Sequence, residues 1–290
     1  MQGGEHLRGI GAMLVAVAFF SFMDALMKGL TVHYPALEVA SLRGLASIPF
    51  VLAAVAVRGR WGRLRPVNIR LHLVRGVLAI GMLAGFIYAL ARLSMSDAYS
   101  LFMCAPLLVT ALSVPLLGEK VRAPQWIAIA VGLAGALVML RPTGAGFASA
   151  GGFAALAAAV AYALAVLTVR QLARTDSTES MVLTFTVLLA IGAGLLAMPG
   201  WVSVDWARDG WLIAGMGLTG AIGQHFVTEA FRHAPASTIA PFEYTAMVWA
   251  IAIDFAFWQV LPGALTLAGS AIVIGAGVYL IRRERRAAAA

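Results

Sequence analysis

The sequence predicts an all-α polytopic membrane protein with ten transmembrane helices, arranged as two inverted five-helix repeats around a central cavity. Hydrophobic residues make up 61% of the 290 residues and charged residues only 12%, with a mean hydropathy of +0.90. Apolar stretches of about 20 residues, the length that an α-helix needs to cross a bilayer, follow one another from Ile10 to Ile281. A weak repeat at an offset of about 140 residues predicts the two halves.

The apolar stretches predict ten spans in order along the chain. The first could be a secretory signal, but it is longer than an h-region, contains Asp24 and Lys28, and is followed by further spans. It is therefore predicted to be a permanent helix. The ten spans are Ile10–Leu30, Leu37–Val57, Leu73–Leu93, Ser96–Leu117, Pro124–Leu140, Gly152–Leu172, Ser180–Pro199, Trp211–Phe231, Ser237–Trp258 and Gly263–Ile281.

The net charge of +8 is distributed unevenly between the two sides of the predicted bundle. Most Lys and Arg residues fall in alternate loops and in the C-terminal tail, whereas the other loops receive only Lys28, Arg92, Arg141 and Arg208. The positive-inside rule then predicts that both termini lie in the cytoplasm. The predicted location is a bacterial-type inner membrane, which the chain crosses several times. The positive charge is explained by topology and by contact with anionic lipid headgroups, so no nucleic-acid partner is predicted.

The two halves match each other in a common order. Because five spans is an odd number, the second half must enter the membrane in the opposite sense to the first. Inverted repeats are the usual construction of secondary transporters, although a symmetric scaffold without transport is the alternative. The predicted units are residues 8–141, residues 150–282 and a basic cytoplasmic tail, 283–290. The matches are Ala16–Phe19 with Ala159–Tyr162, Glu38 with Glu179, Arg92 with Arg232, and Gly135 with Gly275.

Ten spans in two halves, with the fourth ending in PLLGEKV (Pro115–Val121) before a Gly-rich fifth helix, resemble the EamA-type members of the drug/metabolite transporter superfamily. Within it the chain is most similar to YddG-type exporters of aromatic and other amino acids. The resemblance implies a cavity lined by spans one, three, four, six, eight and nine. The second half departs from the family pattern, since FWQVLP (Phe257–Pro262) replaces a common Gly-Glu pair. Glu119 therefore has no symmetric counterpart and is predicted to be structural.

Ionisable groups inside spans usually face the bundle interior, a partner or water. Asp24 and Lys28 are spaced i,i+4 on the first helix, and Arg43 reaches a similar depth on the second. These three are predicted to form either a charge-compensated tie or a gate that contacts a substrate carboxylate. Asp254, deeper in the ninth span, is a gate candidate or the partner of a neighbouring Trp or Thr.

His225 and Glu243 are predicted to lie at one level near the inner mouth, with Glu229 one turn below His225. Because His and a buried Glu can titrate near neutrality, this group could couple protons to transport. A static hydrogen-bonded cluster is the alternative.

Aromatic residues on the spans that the family uses for its cavity suit a flat apolar solute with a polar end. The alternative for each is an interfacial or lipid-facing position. With His225 and Glu243, the substrate-cavity candidates are Phe19, Tyr88, Tyr99, Phe102, Tyr162, Phe226, Tyr244 and Trp249.

Pro106 in the fourth span and Pro241 in the ninth fall in repeat-related helices. Because each removes a backbone hydrogen bond, each is predicted to be a hinge, with a simple packing kink as the alternative.

The sequence contains no GxxxxGK[ST], HExxH, CxxC or GxSxG motif, and it has one cysteine, Cys104. No ATPase motor, cofactor or metal site is therefore predicted.

The predicted function is secondary or facilitated transport of small organic metabolites, specifically export of aromatic or neutral amino acids by alternating access. The predicted partners are a small-molecule substrate and membrane lipid, with protons as an open alternative, and a monomer is favoured. Transport of drugs, nucleotides or sugars, an intramembrane enzyme and a channel are the alternatives.

Overall fold

The computed structural model describes residues 2–93, 95–143, 146–259 and 263–289, and within these ranges the chain forms helices and no strands. Short 3-10 segments occur at Trp61–Leu64, Met198–Gly200 and Ala240–Tyr244. The α-helices are α1 (Gln2–Leu30), α2 (Ala36–Val57), α3 (Ile69–Leu90), α4 (Met95–Phe102), α5 (Ala105–Leu117), α6 (Ala123–Leu140), α7 (Ala150–Leu172), α8 (Thr178–Ala197), α9 (Trp206–His233), α10 (Ala236–Ile239), α11 (Thr245–Trp258) and α12 (Ala264–Ala289).

Nine helical segments of the described ranges are long and apolar enough to cross a membrane. The 28-residue α9 is not among them, since glycines together with Gln224 and His225 lower its hydropathy. It nevertheless packs along α1 and α2 inside the bundle. With α9 the bundle has the ten membrane-crossing elements that the sequence predicts.

Two of the predicted spans are interrupted, each near the proline that the sequence predicts to be a hinge or a kink. The fourth is divided into α4 and α5 at Met103–Cys104, and the ninth into α10 and α11 by the 3-10 segment Ala240–Tyr244. Pro106 follows the first break and Pro241 lies within the second. Since proline has no N–H, each removes one bond of the α-helical hydrogen-bond ladder at the break.

Side-chain caps explain why two helices begin earlier than predicted. The Asn68 side chain accepts a hydrogen bond from the Leu71 N–H at 3.3 Å, so α3 begins at Ile69. The Asp205 side chain accepts a hydrogen bond from the Arg208 N–H at 3.1 Å, so α9 begins at Trp206. Such caps satisfy backbone donors that the first turn of a helix leaves unpaired.

The helix packing has the two-fold pattern of an inverted repeat. The first helix of each half packs on the third helix of the other half, as α1 on α9 and α7 on α3. The second helices, α2 and α8, pack on each other, and so do α6 and α12. Exchanging the two halves therefore maps the main contacts onto each other, which confirms the predicted architecture.

Small residues allow the symmetric helices to approach closely. A Cβ on Gly44 of α2 would lie 2.8 Å from the Ala190 Cα of α8. A Cβ on Gly135 of α6 would lie 2.9 Å from the Gly269 carbonyl oxygen of α12. Close backbone approach at small residues is the usual packing of membrane helices, because side-chain burial gives little driving force there.

Candidate functional site

The two broken spans meet at Tyr244. The Tyr244 hydroxyl donates a hydrogen bond to the Met103 carbonyl oxygen at 3.0 Å, which joins the 3-10 segment of the ninth span to the break in the fourth. The Tyr244 ring is fully buried and packs against α6, where a Cβ on Gly132 would lie 2.6 Å from it. One predicted cavity residue thus fixes the two discontinuities to each other.

Four aromatic rings and one carboxylate lie beside this junction. Phe86 of α3 has its ring centroid 5.1 Å from that of Tyr99 and 4.9 Å from that of Phe102, both on α4. The Phe102 centroid is 5.7 Å from that of Tyr162 on α7. The Tyr162 hydroxyl donates to Glu243 Oε2 at 3.0 Å. We call Phe86, Tyr99, Phe102, Tyr162 and Glu243 the central cluster; it draws residues from both halves.

The second oxygen of Glu243 has no such partner. Oε1 is buried, and among the described residues no group makes a hydrogen bond with it. An unsatisfied polar atom inside a protein costs about 1–3 kcal/mol and calls for an explanation.

A charged layer borders the central cluster. Asp24 of α1 lies close enough to Arg43 of α2 and to Tyr99 for electrostatic interaction. The Arg43 guanidinium carbon is also 5.5 Å from the Phe20 ring centroid. Lys28 is exposed one turn further along α1. The structure therefore brings Asp24 and Arg43 together as the sequence suggests, and their role as a gate or a tie stays a prediction.

Other predicted cavity aromatics lie away from the cluster. Tyr88 is 42% exposed and stacks under Arg92, whose guanidinium carbon is 3.5 Å from the ring centroid. Trp249 is exposed and lies against Phe22, with 6.3 Å between centroids. Tyr88 and Phe86 are two positions apart on α3 and so face different ways. Sequence reasoning selected Tyr88 and missed Phe86.

The remaining candidates take intermediate positions. Phe19 is half-buried on α1. Phe226 is half-buried on α9 and packs against the main core. Its ring centroid is 5.5 Å from that of His225. The side chain of Asp254 lies outside the described part of the structure, so its predicted role has no contacts to report.

The described contacts do not bring His225 and Glu243 together. The charged neighbours of His225 include Glu229, Arg58 and Glu179, which lie at one end of the bundle. A Glu229 carboxylate oxygen accepts from the Thr178 hydroxyl. The depth argument from the sequence gives the height of a residue in its span but not the face on which it lies.

We call the end of the bundle that carries the loops 58–68, 118–122 and 173–177 the basic end, and the other the opposite end. At the opposite end, Tyr34 donates to Asp209 Oδ2 at 2.7 Å. At the basic end, Asp176 Oδ1 lies 3.0 Å from His72 Nε2. In each case a loop between the first two helices of one half contacts the start of the third helix of the other. We call these two contacts the end ties.

Asp176 at the basic end is held as a carboxylate. Burial raises the pKa of Asp176, but hydrogen bonds from the Thr175 hydroxyl, His72 and the Val67 N–H outweigh this, so its pKa lies below the ordinary range. The Val67 N–H lies 2.8 Å from Oδ1. The basic-end tie is therefore charged at neutral pH.

The repeat-related glutamates anchor the loops that precede the third helix of each half, α9 and α3. Glu38 at the start of α2 is fully buried and accepts from the Val202 N–H at 2.9 Å. Glu179 at the start of α8 accepts from Arg60 at 2.8 Å. Each carboxylate anchors a loop of the other half, so the sequence match between them corresponds to a symmetric structural role.

Glu119 has the structural role that the sequence predicts. Its carboxylate accepts from the Ala236 N–H at 2.9 Å, and from the Ser237 N–H and hydroxyl at 3.1 and 3.0 Å. Arg170 lies 3.8 Å away. The end of the fourth span therefore caps the start of the ninth.

Comparison with known proteins agrees with this architecture. The pseudopaline exporter of Pseudomonas aeruginosa is 30% identical over 278 residues, covering 95% of this chain and 97% of that protein. A riboflavin transporter of Vibrio cholerae is 28% identical and an S-adenosylmethionine uptake transporter of Rickettsia conorii is 25% identical, each covering 97% of this chain and 95% of the relative.

A crystal structure 21% identical in sequence covers 96% of this chain and 98% of its own with a TM-score of 0.83, which shows the same fold. The model of the EamA-like transporter family matches the chain twice, at residues 7–141 and 149–283. The two matches together span nearly the whole sequence. The chain is therefore a member of the EamA-like transporter family, a multi-pass membrane protein whose relatives are named transporters of small metabolites.

Proposed function

We propose that this protein is a secondary transporter of the bacterial inner membrane that exports aromatic or neutral amino acids, or metabolites derived from them, with both termini in the cytoplasm. The observation that carries the proposal is the central cluster, which lies between the halves beside two broken spans. Broken helices near the midplane at a repeat interface are where secondary transporters bind their substrates.

The chemistry of the cluster favours a zwitterion with an aromatic or apolar side chain. The rings of Phe86, Tyr99 and Phe102 offer faces for a flat apolar group, and aromatic pairs add about 0.5–1.5 kcal/mol beyond burial. Arg43 beside Asp24 offers a guanidinium to a substrate carboxylate. The hydroxyls of Tyr99 and Tyr162 offer acceptors to an ammonium group.

The names of the relatives support a small metabolite as the substrate. The name of one relative also supports export. One relative is named an exporter of pseudopaline, whereas two others are named for S-adenosylmethionine uptake and riboflavin transport. The family scaffold thus serves several cargoes and both directions. Export by this chain rests on its similarity to the exporter.

The end ties fit alternating access. If one half rocks against the other, the halves separate at one end while they stay joined at the opposite end. The Tyr34–Asp209 contact and the Asp176–His72 contact cross between halves at the two ends. Each tie would open in turn during transport.

The proposal is tested by counterflow of labelled phenylalanine in proteoliposomes, against a panel of amino acids, riboflavin and S-adenosylmethionine. Wild-type protein is expected to exchange phenylalanine and tryptophan. Arg43→Gln is expected to reduce exchange about tenfold, the value of one lost interaction of about 1.4 kcal/mol. Tyr88→Phe, which alters an aromatic residue outside the cluster, is the matched control and should match wild type. Folded protein that exchanges none of the amino acids would refute this assignment.

A further inference from the structure

We propose that Glu243, held by Tyr162, is the proton-binding site of this transporter, and that export is coupled to one proton that the Glu243 carboxyl carries. The inference rests on the proposed function and adds the coupling ion to it. The ligand is a proton: a carboxylate oxygen forms an O–H bond with a proton taken from water on one side, and that bond breaks to return the proton to water on the other.

The position of Glu243 is the first argument. It lies in the 3-10 segment Ala240–Tyr244, where the backbone of the ninth span leaves the α-helix. One carboxyl oxygen accepts from Tyr162, and the other is buried with no hydrogen-bond partner among the described residues. The carboxyl is therefore fixed at the junction of the halves and poorly stabilised as an anion.

The surroundings of Glu243 contain no compensating cation in the described part of the chain. Helices α5, α6 and α10 pack against the 3-10 segment, and their sequences contain no ionisable side chain. Helix α12 also packs against it, and its first ionisable residue is Tyr279, near the basic end. Removing an ion from water without a partner costs several kcal/mol, so the carboxyl is held neutral by a bound proton.

The remaining neighbours have other electrostatic partners. On α1, Asp24 interacts with Arg43, and Lys28 lies a further turn away from the cluster. On α7, Arg170 donates to the Phe231 and Arg232 carbonyl oxygens at 3.1 and 2.9 Å.

Three further ionisable groups lie on the elements around Glu243. Cys104, at the break in the fourth span, interacts electrostatically with Tyr244. The hydroxyl of Tyr244 donates its hydrogen bond to the Met103 carbonyl oxygen and not to Glu243. On α11 the one ionisable residue is Asp254, about three turns beyond Glu243 along the span. Among the described residues, Tyr162 is thus the titratable group that contacts the Glu243 carboxyl directly.

The break in the ninth span supplies a route for the proton to leave. Pro241 interrupts the backbone hydrogen bonds beside Glu243, so rocking of the halves can reorient this segment without unfolding a helix. When the site is open to one side and substrate binds, the carboxyl gives its proton to water on that side. When the site is open to the other side and the substrate has left, the carboxylate takes up a proton from water there before the empty site returns. One substrate and one proton then cross in opposite directions in each cycle.

The test separates exchange from coupling. In proteoliposomes, labelled phenylalanine counterflow measures exchange, accumulation under an imposed pH gradient measures coupling, and a trapped pH-sensitive dye measures proton movement. Glu243→Gln imitates the protonated carboxyl permanently. Because Glu243 belongs to the central cluster, the counterflow of this variant is measured beside the coupling. At whatever rate of exchange remains, the variant is expected to lose both gradient-driven accumulation and substrate-induced proton movement. For one proton per substrate, one pH unit drives about tenfold accumulation in wild type.

Control variants test whether Glu243, and not another ionisable residue, binds the coupled proton. Glu229→Gln, the same change at a glutamate bound to Thr178, should retain coupling. Coupling that survives in Glu243→Gln and disappears in His225→Gln would overturn the proposal. Wild-type counterflow without any accumulation under the pH gradient would also overturn it, while leaving the proposed function intact.

A substrate-free measurement keeps the proposal testable if no amino acid is transported. The infrared carbonyl band of a protonated carboxyl group should be present in wild-type protein at neutral pH and absent in Glu243→Gln. If Glu243→Gln does not fold, Glu243→Asp should keep a carboxyl band that responds differently to pH. A wild-type spectrum with no such band at neutral pH would refute proton binding at this site.

Discussion

Replacing Asp176 by Asn should destabilise the basic end of the bundle. Asp176 is buried between α7 and α8 and accepts hydrogen bonds from the Val67 N–H at 2.8 Å, from His72 Nε2 at 3.0 Å and from the Thr175 hydroxyl. The Asn amide keeps one acceptor oxygen and turns an NH₂ group toward donors. At least one of the three donors then loses its partner.

The expected loss is about 2–4 kcal/mol, since a hydrogen bond to a charged group contributes about 1.5–3 kcal/mol and a buried unpaired donor adds to the cost. At roughly 2–4 °C per kcal/mol, the Tm should fall by roughly 5–15 °C. Thermal unfolding of the purified protein in detergent, followed by tryptophan fluorescence, measures this. Arg174→Gln, an exposed charge change in the same loop, should shift the Tm by little.

The pH dependence gives a second check on Asp176. Because its pKa is lowered in the folded state, its contribution is complete above the unfolded pKa of about 3.9 and is lost as the pH falls through the lower folded value. The difference in Tm between wild type and Asp176→Asn should thus be constant from about pH 6 to 8 and narrow only below about pH 4. Equal Tm values at pH 7, or a difference that narrows between pH 8 and 6, would contradict the reasoning.

Three further substitutions test other contacts. Glu119→Ala removes the cap of α10 and should lower stability by about 2–3 kcal/mol in thermal unfolding, because two backbone donors lose a charged acceptor. Gly132→Val should displace the Tyr244 ring and cost about 1–3 kcal/mol, whereas an unchanged Tm would mean that the ring has room to move. Tyr34→Phe removes one hydrogen bond to Asp209 and, in a Cys104→Ser background, should increase labelling of an introduced opposite-end cysteine by a water-soluble reagent; unchanged labelling would show that this tie does not restrain opening.

The number of spans and their inversion could be predicted because both depend on composition along the chain. About 20 apolar residues are needed per span, and an odd number per half fixes the inversion. The repeat also predicted the equivalence of Glu38 and Glu179, which each anchor a loop of the other half. The length of a span is a local property of the sequence, and the two glutamates occur at matching positions of the two halves.

The central cluster could be predicted only in part. Tyr99, Phe102, Tyr162 and Glu243 were candidates, but hydropathy does not tell which face of a uniformly apolar helix points inward. Phe86 was therefore missed, since nothing in the sequence distinguishes it from lipid-facing bulk. Phe86 and Tyr88 are two positions apart on α3, so only one of them can face the cluster.

The end ties had no sequence signal. Asp176 and His72 are 104 residues apart, and Tyr34 and Asp209 are 175 apart. Their contacts depend on how the halves are docked. The breaks in spans four and nine were indicated by Pro106 and Pro241, but proline alone does not distinguish a kink from a full interruption.

The single cysteine gives this protein a natural site for attaching a spectroscopic label. Cys104 stands in the interruption of the fourth span, next to the carbonyl group that holds Tyr244, and its thiol is free. A fluorophore or spin label attached there would need no cysteine-free background, because the chain has no other thiol. The protein can therefore report, with its native sequence, when water and reagents reach the middle of the bilayer.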